Sequence, residues 1–117
     1  IGEEAEVAGI RDLGRSMAAL YIGGMGAKGK NFYNALACRY GYEKEAAEIQ
    51  DLYLSGKKDE AAALVPKELL EATSLCGPEG YIKERLAALA EAGVTHVNVT
   101  PVGGDPVAMI EKVRSWI

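Results

Sequence analysis

Histidine is nearly absent from this chain, and His96 is the single one. The two cysteines, Cys38 and Cys76, have no further Cys or His at ligand spacing, so a His/Cys metal site is not expected. Two cysteines are also too few for a disulfide framework. Their apolar surroundings fit buried thiols in a reducing cytoplasm. Basic charge is scarce as well: 13 Lys and Arg against 17 Asp and Glu leave a net charge of −4. A nucleic-acid binder needs a concentrated basic face, so no such partner is expected. No apolar run approaches the ~18 residues of a membrane-spanning helix. The opening Ile1-Gly2-Glu3-Glu4 has neither the basic nor the apolar region of a signal peptide.

What is present is 117 residues, 49% of them hydrophobic and 26% charged, which suits one ordinary soluble domain and is too apolar for disorder. The chain opens on isoleucine and closes on Trp116-Ile117 inside an amphipathic pattern. We expect a single compact unit that is part of something longer.

Apolar spacing organises the first 72 residues into a helical segment. Ile10, Leu13, Met17, Leu20 and Tyr21 recur at three-four spacing, which predicts a helix over 3–22 with that stripe inward. Gly23, Gly24, Gly26 and Gly29 follow. Glycine costs about 1 kcal/mol per residue inside a helix, so a loop is expected there. Asn31 suits an N-cap, with Phe32, Tyr33, Leu36 and Ala37 lining one side of the helix up to Gly41. A third helix over 43–55 should turn Ala46, Ile49 and Tyr53 inward and end at Gly56. An alanine-rich helix over 58–64 precedes Pro66, which suits the start of a further turn through Leu70. The aromatic set Phe32, Tyr33, Tyr40, Tyr42 and Tyr53 reads as helical core.

The tail, 73–117, reads as strand, helix, strand, helix. Thr73 to Cys76 forms a short strand, Pro78 opens a helix with Ile82, Leu86, Leu89 and Ala90 inward, and Gly93 closes it. Val94 to Thr100 is rich in β-branched residues and makes the best strand in the chain. Asp105-Pro106 starts a last helix carrying Val107, Ile110, Val113 and Ile117. Two short parallel strands joined by a helix make a right-handed βαβ crossover. Such a pair is not a stable sheet, so the other strands of the sheet are expected elsewhere. His96 and Asn98 on one face of the second strand favour a closed barrel, whose interior tolerates polar groups near its mouth.

Several stretches resemble the luciferase-like flavin and deazaflavin oxidoreductases, most closely their actinobacterial deazaflavin-dependent members. The first is Tyr21-Ile22-Gly23-Gly24-Met25-Gly26 with Lys30-Asn31-Phe32-Tyr33-Asn34. Arg39-Tyr40-Gly41-Tyr42, Ala47-Glu48-Ile49-Gln50-Asp51-Leu52-Tyr53 and Val65-Pro66-Lys67-Glu68-Leu69 continue it. Cys76-Gly77-Pro78-Glu79 and Glu91-Ala92-Gly93-Val94 complete it. The resemblance runs over essentially the whole chain in one order. It implies an α/β class by parentage: the C-terminal part of a TIM-like barrel about two to three times this length. Residues 3–22 would then be its sixth helix, 23–72 a helical insertion, and 73–76 and 94–100 its seventh and eighth strands. It further implies a parent that moves a hydride between a reduced deazaflavin coenzyme or FMN and an organic substrate. With strands one to six lacking, the 117 residues alone are expected to bind no cofactor and to be inactive. The partner is either the remainder of the barrel or, on a rival reading, a second copy. In that rival the chain is a self-associating helical module without catalysis.

In a TIM barrel the loops after strands seven and eight often hold phosphate. By that logic Gly77, Thr100, Gly103 and Gly104 are the cofactor-binding candidates, and no catalytic residue is assigned. Glu79 and Asp105 stand at the helix starts, where a carboxylate already satisfies the positive end. The glycine loop with Lys28 and Lys30 lacks the Walker pattern and reads as a helix connection. His96 lies near the wrong end of its strand for a barrel site, and Cys76 has no base beside it.

Overall fold

Asparagine, aspartate and glycine set the helix boundaries of this protein. The structure is a computed structural model describing residues 1–117. In chain order the elements are α1 (Glu4–Asp12), α2 (Gly14–Ala19), a π-helical turn (Leu20–Gly24), α3 (Phe32–Arg39), α4 (Glu43–Leu54), α5 (Lys58–Ala63), α6 (Lys67–Thr73), α7 (Glu79–Glu91) and α8 (Pro106–Arg114). Asn31 caps α3 by accepting the Asn34 amide at 3.0 Å. Asp105 caps α8 from in front of Pro106. Gly41, Gly56 and Gly93 end α3, α4 and α7 in the left-handed region, at φ +93°, +88° and +91°. No helix is long and apolar enough to cross a membrane.

The chain divides into two compact units, one of Arg11–Thr73 and one of Ile1–Ile10 with Ser74–Ile117. In the first, the core is built of Ala19, Ile22, Ala37, Ala46, Ile49, Ala61, Ala62, Val65 and Leu70. Alanine dominates, so the helices approach closely. The closest approach is at Gly23 and Gly24 in the π-turn. A Cβ on Gly23 would lie 2.5 Å from Tyr53 Cβ, and one on Gly24 would lie 2.4 Å from Tyr53 Cε1. Two asparagines hold that turn in place. The buried Asn31 donates from Nδ2 to the Tyr21 and Ile22 carbonyls, at 3.0 and 3.1 Å. Asn34 donates to the Ile22 carbonyl at 3.1 Å and to the Ala46 carbonyl at 2.9 Å, tying the turn to α4. Carbonyls freed by the π geometry thus find donors. The buried Arg11 guanidinium lies 3.4 Å from Glu71, which also pairs with Lys67.

In the second unit, Ile82 and Leu86 on α7 are buried. The Gly2 amide donates to the Gly77 carbonyl at 3.0 Å. No residue of α8 is buried.

Four expectations are corrected. Neither 73–76 nor 94–100 is a strand: the first lies across the end of α6 and the turn before α7, the second is extended and exposed. A strand is completed by a neighbour's backbone, and 95–100 make no backbone–backbone hydrogen bond. The helix expected over 3–22 is broken at Leu13 and extends as a π-turn through Gly24, so the first two glycines are packed in it rather than in a loop. Its apolar stripe divides. Ile10, Leu20 and Tyr21 are half-buried, but Leu13 is 68% and Met17 58% exposed, while Ala19, Ile22 and Gly23 are buried. The aromatic set divides: Phe32, Tyr33 and Tyr40 are exposed, and Tyr53 packs on the core.

Gly23→Ala should therefore destabilise the protein by about 1–3 kcal/mol through overpacking against Tyr53 and the Ile49 carbonyl. Asn31→Ala should cost about 1–3 kcal/mol by removing a cap and two buried hydrogen bonds. Gly9, on the exposed side of α1 with nothing near its Cβ position, behaves oppositely: Gly9→Ala should add about 0.5–1 kcal/mol. Urea unfolding midpoints of the three variants check the signs.

Candidate functional site

The residues singled out in the tail all belong to the second unit, Gly77 before α7 and Thr100, Gly103 and Gly104 before α8. Gly77 is buried in the turn before α7, where a Cβ would stand 2.8 Å from the Tyr81 ring. Thr100 is exposed at the end of the extended segment. Gly103 and Gly104 adopt left-handed backbone, φ +74° and +59°, which glycine alone reaches without strain. They turn the chain into α8. A Cβ on Gly103 would touch Ile10 Cδ1 at 3.1 Å, and one on Gly104 would meet only Met109 Cε at 3.8 Å. Gly104 therefore leaves its backbone open to close approach.

The carboxylates behave differently from each other. Asp105 Oδ1 accepts the amides of Val107 and Ala108 at 2.9 and 3.2 Å. The positive end of α8 is thereby used. Glu79 stands in the first turn of α7 without capping it. Its Oε2 binds Lys112 Nζ and its Oε1 binds Lys83 Nζ, each at 2.8 Å. The Lys112 hydrogen bond, then that of Lys83, holds the Glu79 carboxyl down at about 2. The Glu79–Lys112 pair links the helix after Gly77 to the helix after Gly104. With Asp105 on the α8 amides and Glu79 on both lysines, these residues do not fit a bound phosphate.

The remaining candidates lie apart from any such arrangement. His96 Nδ1 lies 3.0 Å from the hydroxyl of its neighbour Thr95, on an exposed segment. No disulfide joins Cys38 and Cys76. No group of three or more His, Cys, Asp or Glu is placed to hold a metal. Lys28, in the other unit, pairs with Asp51. Sequence reasoning missed the Glu79–Lys83–Lys112 cluster. The i,i+4 pair Glu79–Lys83 was its visible part, but the third member comes from a helix 29 positions further on.

Comparison with known proteins covers most of the chain. Residues 4–96 match the luciferase-like monooxygenases. Over 89 residues the chain is 38% identical to a Mycobacterium tuberculosis (strain ATCC 25618 / H37Rv) protein that carries the name coenzyme F420-dependent oxidoreductase. The alignment takes in 76% of this chain and 26% of that protein, so the chain spans about a quarter of its relative's length. No solved structure matches.

The lowered Glu79 carboxyl sets a pH test. A carboxylate with a depressed folded pKa adds stability that is fully present above its unfolded value of 4.5 and is lost as pH falls through about 2. Glu79→Gln should thus be less stable than the unaltered chain at pH 6–7. The gap between their urea midpoints should close as pH falls below 4.5 toward 2.

Proposed function

The chain belongs to the luciferase-like monooxygenase family, and on that footing we propose that it is the C-terminal part of a deazaflavin-dependent oxidoreductase. The observation that carries this reading is the 38% identity over 89 residues to a protein about four times as long as the aligned part. The exposed apolar residues support it. Leu13 and Met17 on the first helices, Val94, Val97 and Val99 on the extended segment, and Val107 and Ile110 on α8 are the positions a barrel would cover. Their partner on this reading is the rest of the barrel, whose strands give 95–100 the backbone bonds they lack.

When bound in the parent, the reduced deazaflavin or flavin supplies the hydride that an organic substrate accepts. This chain's own part is to wall the pocket and exclude water. Gly77, Thr100, Gly103 and Gly104 are its positions nearest the cofactor, and Gly104 offers the open backbone. Contact is with an uncharged edge, since Asp105 has taken the α8 amides. The 117 residues by themselves have no turnover.

The test replaces the corresponding quarter of the M. tuberculosis relative with this chain. The chimera should oxidise reduced deazaflavin in the presence of an organic acceptor, followed by cofactor absorbance. In it, the 95–100 amides should gain protection from hydrogen exchange. A folded chimera without turnover, or turnover by the 117 residues alone, overturns the proposal. A monodisperse dimer of the isolated chain with protected 95–100 amides would instead support the self-associating module.

A further inference from the structure

We propose that α8 is a hinged strap, latched onto α7 by Glu79, Lys83, Lys112 and Trp116, and released by raised ionic strength while the rest of the chain stays folded. Two rungs form the latch. Glu79 binds Lys112 at 2.8 Å, and Lys83 Nζ sits 5.0 Å from the Trp116 ring centroid. Glu79 and Lys83 are four residues apart on one face of α7, and Lys112 and Trp116 are four apart along α8 and its end. Spacing of this kind stacks side chains one turn above another. The rungs follow the same order along both helices, so α7 and α8 run parallel where they meet. Glu79 also binds Lys83 at 2.8 Å, which places the cation of the second rung on the carboxylate of the first. Losing Glu79 therefore loosens both.

Apolar burial holds α8 weakly: Met109, Val113 and Trp116 are half-buried and none is fully covered. No residue of α8 is buried, and Ile117 beyond its end is 81% exposed. The three charged latch side chains, Glu79, Lys83 and Lys112, are between 41% and 49% exposed, within reach of screening ions. The hinge is Gly103-Gly104, two consecutive left-handed glycines between the extended segment and Asp105. Asp105 keeps α8 helical through its own cap, so the helix can move as a body. The inference stands on contacts within this chain and does not depend on which reaction the parent performs.

Trp116 is the chain's single tryptophan, so its fluorescence reports the latch directly. The 117-residue chain is titrated with potassium chloride, recording Trp116 emission, acrylamide quenching and far-UV circular dichroism. From about 0.15 M to 1 M salt the screening length falls from about 8 to 3 Å. Over that range, emission should shift to the red and quenching should rise, with the helical signal unchanged. Glu79→Gln and Lys112→Gln should show this released spectrum at low salt, with the latched-to-released ratio about two- to fivefold lower per ion pair lost. Lys28→Gln, which removes an ion pair in the other unit, should leave Trp116 unmoved. The proposal is overturned if Trp116 ignores both salt and Glu79→Gln. It is equally overturned if Trp116 is already released at low salt in the unaltered chain, or if emission and helical signal change together.

Discussion

The helical unit is arranged around the close approach of Gly23 and Gly24 to the Tyr53 side chain. The ring lies where two Cβ atoms would otherwise be. That contact requires glycine at both positions, and it requires the chain to turn wide there as a π-helix. A wide turn leaves carbonyls without helical donors. Asn31 and Asn34 supply the donors, and Asn34 reaches on to the Ala46 carbonyl, so the same bonds that satisfy the turn also fix α3 against α4. The alanine-rich core follows: with axes this close, Ala19, Ala37, Ala46 and Ala61 fill the space that larger residues fill elsewhere.

Local signals were legible in the sequence where a single residue decides the local conformation. Asn31 and Asp105 as caps, and Gly41, Gly56 and Gly93 as terminators, each act within one turn, and all five are found in those roles. The inward placing of Ala46, Ile49, Ile82 and Leu86 was also readable from three-four spacing. The misreadings concern partners distant in sequence. Gly23-Gly24 looks like a helix stop, and only Tyr53, thirty residues on, makes it a packing surface. Leu13 and Met17 look like core, but spacing shows that a face is apolar and does not show what covers it. Residues 94–100 have strand composition and no strand beside them. The glycine candidates of the site were visible as turn residues. The lysine pair that claims Glu79 was not, because Lys112 arrives from another helix.

The two units differ in what holds them. In the helical unit, buried alanines and isoleucines do so, with Arg11 as the buried charge and the half-buried Glu71 as its carboxylate. Around α8, charge and a single aromatic ring do so at the surface. The helical unit has its own cluster of buried apolar residues, whereas the other unit buries Val7, Ile82 and Leu86.

The extended segment 94–100 has a consequence for the life of the chain in a cell. Val97 and Val99 sit on a backbone that makes no backbone–backbone hydrogen bond from 95 to 100, which is both a template for cross-strand aggregation and a cleavable stretch for proteases. How long a copy of the chain survives is therefore set by how much of that stretch stands open to other strands and to proteases.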